Sequence, residues 1–153
     1  MPKDYPRAAR FATIDTAIMG RKTLEAGLKM SGGSFPSYGL TCYVMSRSQP
    51  AVEQHGMKFT RRTPAALVRE LRKQPGKNIW LMGGGELARD FLKADLVDEI
   101  DLGIVPVLLG QGIPLFPSGF PQREFTLLEN KSYSRGLISL RYERARKKAK
   151  PKS

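Results

Sequence analysis

Thiol and imidazole groups are nearly missing from this chain. Its 153 residues include one cysteine, Cys42, and one histidine, His55. A single cysteine excludes an internal disulfide and any cysteine-rich metal centre. A single histidine excludes a multi-histidine centre. A Ser-His-Asp or Cys-His constellation would have to use His55, whose loop context argues against it. Aromatic residues are few, at 8%, with one tryptophan, Trp80. No apolar run approaches the roughly 20 residues of a membrane span. The first residues, MPKDYPRAAR, contain no apolar core of the signal-peptide kind. The expectation is a cytoplasmic protein with no metal centre and no membrane partner.

Acid is also scarce, with 14 Asp and Glu against 26 Lys and Arg and a net charge of +12. Half of that excess lies in Arg144–Ser153, RARKKAKPKS, which carries no acid. With nothing beyond alanine to bury, this segment is expected to be a disordered basic tail. Such a tail can touch nucleic acid non-specifically. The excess on the body fits an anionic ligand better than any particular fold. The composition, 41% apolar and 26% charged, is that of an ordinary globular protein. The length suits one domain, expected over residues 1–143 with the tail over 144–153.

Against these absences stands one rich segment, Asn78–Phe116. It opens with Ile79-Trp80-Leu81-Met82, an apolar run of strand length. Gly83, Gly84 and Gly85 follow, then Glu86–Lys93 with Leu87, Phe91 and Leu92 on one helical face. A strand that breaks at glycines and resumes as a helix presents backbone N–H groups at a helix N-terminus, a ready anion site. Glycine lets a ligand approach that backbone closely.

The rest of the pattern alternates helix and strand. Asp4-Tyr5-Pro6 reads as a helix start capped by Asp4. A buried strand over Thr16–Met19 ends at Gly20, and Lys22–Leu28 is a helix. Met30–Tyr38 is loop by its Gly, Ser and Pro content. Strands are expected over Leu40–Met45 and Met57–Thr60, and a helix from Thr63-Pro64 to about Lys73. Glu99–Leu109 is expected to be a strand, its apolar inner part covered on both faces, with Pro106 demanding an edge, a bulge or a break. After a loop over Gly110–Pro121, Phe125–Tyr133 and Gly136–Tyr142 form a hairpin around Ser134-Arg135-Gly136. The fold class is therefore α/β, with a mostly parallel central sheet flanked by helices and a C-terminal antiparallel hairpin.

Three strands end in residues suited to phosphate: Gly20-Arg21-Lys22-Thr23, Ser46-Arg47-Ser48 and Gly83-Gly84-Gly85. In α/β sheets ligands lie beyond the carboxyl ends of strands. Gly83-x-Gly85-x-x-Ala88 also fits the dinucleotide pattern G-x-G-x-x-A, which alone is weak. Asp98 and Asp101 have nearly the spacing of a ribose-binding acid, but they stand at the start of the next strand. Cations at the other two strand ends favour a phosphorylated ribose, hence NADP over NAD.

These residues resemble the dihydrofolate-reductase-like fold, a three-layer α/β architecture. Within it they are most similar to the reductase domain of bifunctional riboflavin-biosynthesis deaminase-reductases and their stand-alone relatives. The resemblance is carried in order by Ile18–Thr23, Tyr43–Ser48, Trp80–Leu87, Leu96–Glu99 and Pro106–Phe116. It implies an NADPH-dependent oxidoreductase resembling 5-amino-6-(5-phosphoribosylamino)uracil reductase, acting on a pteridine- or pyrimidine-like small molecule as a homodimer. By family role, Gly20, Arg21, Lys22 and Thr23 touch the cofactor phosphates. Ser46, Arg47 and Ser48 surround the adenosine ribose and its 2′-phosphate. Gly83, Gly84, Gly85, Glu86 and Leu87 hold the diphosphate and approach the nicotinamide side.

The resemblance also implies an additional first strand, with a Ser-Leu-Asp-Gly-like loop, that nothing before Asp4 supplies. The expectation is a start placed downstream of the true one, or a shortened copy with weakened substrate binding. Asp4 precedes Gly20 at a spacing similar to that of the proton-donating acid of dihydrofolate reductases, against its simpler reading as a helix cap. Two alternatives stand beside the reductase. One is a degenerate, non-catalytic nucleotide-binding protein. The other is a basic nucleic-acid-associated protein, resting on the tail alone.

Overall fold

The computed structural model describes residues 2–48, 52–54 and 56–145; His55 and the basic tail beyond Ala145 lie outside the described residues. The chain forms two compact units. One is Pro6–Leu96 with Ile113–Phe120, and the other is Met1–Tyr5, Val97–Gly112 and Pro121–Ser153.

The first unit alternates helix and strand: α1 (Arg7–Phe11), β1 (Ile14–Gly20), α2 (Arg21–Met30), β2 (Thr41–Met45), β3 (Glu53–Gln54), β4 (Met57–Thr60), α3 (Pro64–Leu71), β5 (Asn78–Leu81) and α4 (Gly85–Lys93). Its sheet has the order β3-β4-β2-β1-β5. The β4–β2, β2–β1 and β1–β5 pairs are parallel, while the short β3 is antiparallel to β4. The chain steps outward from β1 to β2 and β4, then returns through α3 to β5 on the far side of β1. Crossovers between parallel strands are right-handed, so a reversal of direction moves the connecting helix to the opposite face.

The residues follow this division. Ala17 and Met19 alternate with Ile18 along β1. Ala17 and Met19 join Leu24 of α2 with Cys42, Val44, Met57 and Phe59 in one buried cluster. Ile18 points the other way and is fully buried. The helices α3 and α4 pack together and bury Leu67, Val68, Leu71, Phe91 and Leu92. At the start of α3 the Thr63 hydroxyl accepts the Ala66 N–H at 3.2 Å and Pro64 fills the first turn, as the sequence requires.

The second unit is a three-stranded antiparallel sheet, ordered β6-β8-β7, of β6 (Glu99–Ile104), β7 (Phe125–Ser132) and β8 (Ile138–Arg144). The hairpin turns through Arg135 and Gly136, both at positive φ (62° and 73°). The antiparallel strands are thus a sheet of their own rather than a hairpin on the parallel sheet.

Two further expectations are corrected. The helix α1 has Pro6 as its N-cap and no side-chain cap, so Asp4 does not cap it. The strand expected to reach Leu109 stops at Ile104, because Pro106 cannot donate to a ladder and the Val107 N–H turns back to the Val105 carbonyl at 2.8 Å. Val105 and Val107 are 60% and 61% exposed, and Leu108 wholly so, rather than covered on both faces. Among the described residues, no helix is long and apolar enough to cross a membrane.

Candidate functional site

Register decides where the strands end. In the parallel ladders Gly20 lies level with Met45, and Met45 with Thr60. On the other side Ile18 lies level with Leu81, and the Met82 N–H donates to the Ile18 carbonyl at 2.9 Å. The next residues of each strand therefore emerge along one edge of the sheet. Gly20–Thr23, Ser46–Ser48 and Gly83–Leu87, three separate stretches of sequence, are brought to that edge.

At its centre two helix N-termini meet. Gly20 is the N-cap of α2, in extended conformation with no side-chain cap. Gly84 is the N-cap of α4 at φ 90° and ψ 110°, also uncapped by any side chain. A β-carbon on Gly84 would lie 3.1 Å from the Thr23 Oγ1, so the two starts are in near contact. One on Gly85 would lie 3.1 Å from the Pro114 carbonyl oxygen and 3.2 Å from Pro117, since the segment 113–120 covers that turn. Gly83 has φ 112°. These glycines are there because the backbone takes a course closed to L-side chains, and it leaves helix N–H groups with no side-chain acceptor.

The charged residues are less simple than their sequence pattern. Arg21 Nη1 is 2.9 Å from Glu25 Oε1 one turn along α2. Lys22 Nζ is 3.6 Å from Glu86 Oε2, linking the first turns of α2 and α4. All four are exposed, so these pairs contribute little stability and are open to exchange for a ligand anion. Leu87 is half-buried in the first turn of α4. On β2, the Ser46 N–H donates to the Thr60 carbonyl at 3.0 Å. Arg47 and Ser48 are exposed. The Ser48 carbonyl accepts from Arg61 Nη2 at 3.0 Å. Arg61 was not singled out by sequence, although the cation after a strand that marked the other ends recurs here in Arg61-Arg62.

Asp4 belongs to the other unit. Its Oδ2 accepts the Ser134 backbone N–H at 2.9 Å and its Oδ1 the Ser134 hydroxyl at 2.7 Å. The backbone donor first, and the hydroxyl second, hold its carboxyl below the usual 3.8. Hydrogen bonds that favour the ionised form make a poor proton donor; Asp4 instead ties the start of the chain to the hairpin turn. A depressed carboxyl stabilises the fold above its unfolded pKa, and that stabilisation is lost as pH falls through the folded value. Asp4→Asn should therefore lower the melting temperature at pH 7, and the gap from wild type should close in melts taken below pH 3.8. A gap that persists there would mean the carboxylate charge is not its source.

Asp98 and Asp101 are also in that unit. Asp98 Oδ1 lies 3.4 Å from Arg144 Nη2, and Asp101 Oδ1 accepts from the Ser139 hydroxyl at 3.5 Å. Among the described residues, no group of three or more His, Cys, Asp or Glu could hold a metal ion.

The arrangement is that of an α/β protein whose candidate ligand site lies at the carboxyl ends of neighbouring parallel strands. The chain belongs to the RibD C-terminal domain family, whose model matches residues 40–139. It is 36% identical over 135 residues to the uncharacterized protein YwjB of Bacillus subtilis, spanning 88% of this chain and 76% of that one. It is 32% identical over 139 residues to YyaP of the same organism, spanning 84% and 73%. Among solved structures it is similar to a protein from Shewanella sp. PV-4 named for riboflavin biosynthesis, with a TM-score of 0.81 and 25% identity over 94% of this chain and 81% of that one. RibD of Acinetobacter baumannii shares the fold, with a TM-score of 0.63 at 20% identity; the match covers 91% of this chain and 51% of that protein. Membership supports a reductase-like function of the riboflavin-pathway type.

Proposed function

We propose that this protein is an NADPH-dependent reductase that transfers hydride to a pteridine- or pyrimidine-like substrate of the 5-amino-6-(5-phosphoribosylamino)uracil kind. The observation that carries the reading is the near contact of two uncapped helix starts, Gly20–Thr23 and Gly84–Leu87, at one sheet edge. Such a pair suits a diphosphate, because both helix dipoles and both sets of backbone N–H groups favour negative charge there. The donor set fits the cofactor. Gly83–Gly85 leave room for the backbone to approach the diphosphate, with Arg21 and Lys22 beside it. Ser46, Arg47 and Ser48 supply hydroxyls and a guanidinium for the ribose 2′-phosphate. NADPH supplies the hydride when bound. The chain's own residues bind and orient, which is most of what hydride transfer asks of a protein. The reductase family model and the similarity to a Corynebacterium diphtheriae pyrimidine reductase-like protein support the substrate class.

The test is in two stages. NADPH fluorescence should change saturably on titration with the protein. No binding at ~1 mM, an affinity weaker than about 4 kcal/mol, would end the reading. The oxidation of bound NADPH should then be followed with the aminopyrimidine substrate. Tight binding without turnover on any pteridine or pyrimidine would leave a nucleotide-binding protein and remove the reductase.

A further inference from the structure

A fourth strand end reaches the same edge. Thr60 closes β4 level with Met45 of β2, and the Ser46 N–H bond to the Thr60 carbonyl carries that alignment one residue further. The chain then divides the work between two adjacent arginines. Arg62 turns toward α3, where its Nη1 lies 2.7 Å from Glu70 Oε2 and its N–H is held by the Thr60 hydroxyl at 3.2 Å. Arg61 turns toward β2 and bonds a neutral group, the Ser48 carbonyl. Its exposed guanidinium is therefore fastened to the Ser46–Ser48 turn.

We propose that Arg61 is a specificity-determining residue of the dinucleotide site, acting on the ribose 2′-phosphate together with Ser46, Arg47 and Ser48. This rests on the cofactor reading above. The sheet order β4-β2-β1-β5 puts Arg61 three strand spacings from the β5 glycines, about 14 Å at the usual inter-strand distance. A cofactor with its diphosphate at the β1 and β5 ends reaches β2 and β4 with its adenosine end. A phosphomonoester there carries nearly two negative charges, and a guanidinium fork matches it in geometry as well as charge. NADH has no such group, so Arg61 separates the two cofactors.

Dissociation constants for NADPH and NADH should be measured by fluorescence on wild type, Arg61→Ala, Arg61→Lys and Arg62→Ala, with a thermal melt of each. Arg61→Ala should weaken NADPH about tenfold or more, as expected for a charged hydrogen bond, and leave NADH within about twofold. Arg61→Lys should recover part of the loss. Arg62→Ala removes the same formal charge and should leave the NADPH-to-NADH ratio unchanged, because Arg62 is engaged with Glu70. The proposal is overturned if Arg61→Ala weakens both cofactors alike or neither, or if Arg62→Ala reproduces its effect. Wild type that binds neither dinucleotide removes the cofactor reading and Arg61's role together. Wild type that binds NADPH while Arg61→Ala leaves the ratio unchanged removes only the role of Arg61.

Discussion

Replacing Gly84 by valine should leave a folded but weakened protein with no measurable affinity for NADPH. Gly84 sits at φ 90° and ψ 110°, backbone angles that a β-branched residue does not adopt without strain. Holding such a residue there costs on the order of 1–3 kcal/mol. At about 2–4 °C per kcal/mol for a chain of this size, the melting temperature should fall by several degrees. The added β-carbon would stand 3.1 Å from the Thr23 Oγ1, and the two further methyl groups need more room still. They would push apart the two helix starts whose N–H groups receive the diphosphate. Gly20→Ala serves as a control for stability. Gly20 has φ −85° and open space around its β-position, so its melt should stay within about 0.5 kcal/mol of wild type. Full-affinity NADPH binding by Gly84→Val would take Gly84 out of the cofactor site and leave it a turn residue. An unchanged melt would contradict the backbone geometry itself.

Ile18→Ala should be the most destabilising of the single substitutions considered for this protein. Ile18 is fully buried on β1, the one strand bonded to both β2 and β5. Truncating a buried isoleucine removes its transfer free energy and leaves a cavity, together about 2–5 kcal/mol. Set against a total stability of about 5–15 kcal/mol, that is a large share. Ile18→Val, which removes one methylene, should cost about 0.5–1.5 kcal/mol. Urea denaturation checks both. The midpoint should drop in that order with little change in the slope, since the slope follows the surface exposed on unfolding. A loss below about 1 kcal/mol for Ile18→Ala would mean that the β1 face toward α3 and α4 is not tightly packed. Because the Ile18 carbonyl holds the Met82 N–H at 2.9 Å, the position also fixes the strand just before Gly83. Loosened packing there should weaken NADPH binding as well as stability.

The glycine run was legible in the sequence because its requirement is local. Gly83 and Gly84 both take positive φ, and α4 begins at Gly85 directly after a short apolar strand. Thr63-Pro64 was legible as a helix start for the same reason: the cap and its N–H partner lie three residues apart. The Ser134–Gly136 turn likewise needs only its own backbone angles. Where the chemistry depends on a distant partner, the sequence misled or fell silent. Asp4 had the marks of a helix cap, but its donor is Ser134, 130 residues away. The apolar stretch after Ile104 had the composition of an interior strand, yet Pro106 ends the ladder and leaves it exposed. Arg61 looked like any surface cation until the β2–β4 register set it against Ser48.

The sequence by itself determined the α/β alternation, the three glycine- and cation-bearing strand ends, and the family to which they belong. These rest on side-chain pattern and backbone freedom within a few residues. Only the tertiary structure decided that three of those ends stand level at one edge, that a fourth joins them through Arg61, and that Asp4 is a tether. Parallel strands are joined by long crossovers, so the pairs that meet across a ladder are far apart in sequence. Which residues meet is settled by the pairing of whole strands and not by any local preference.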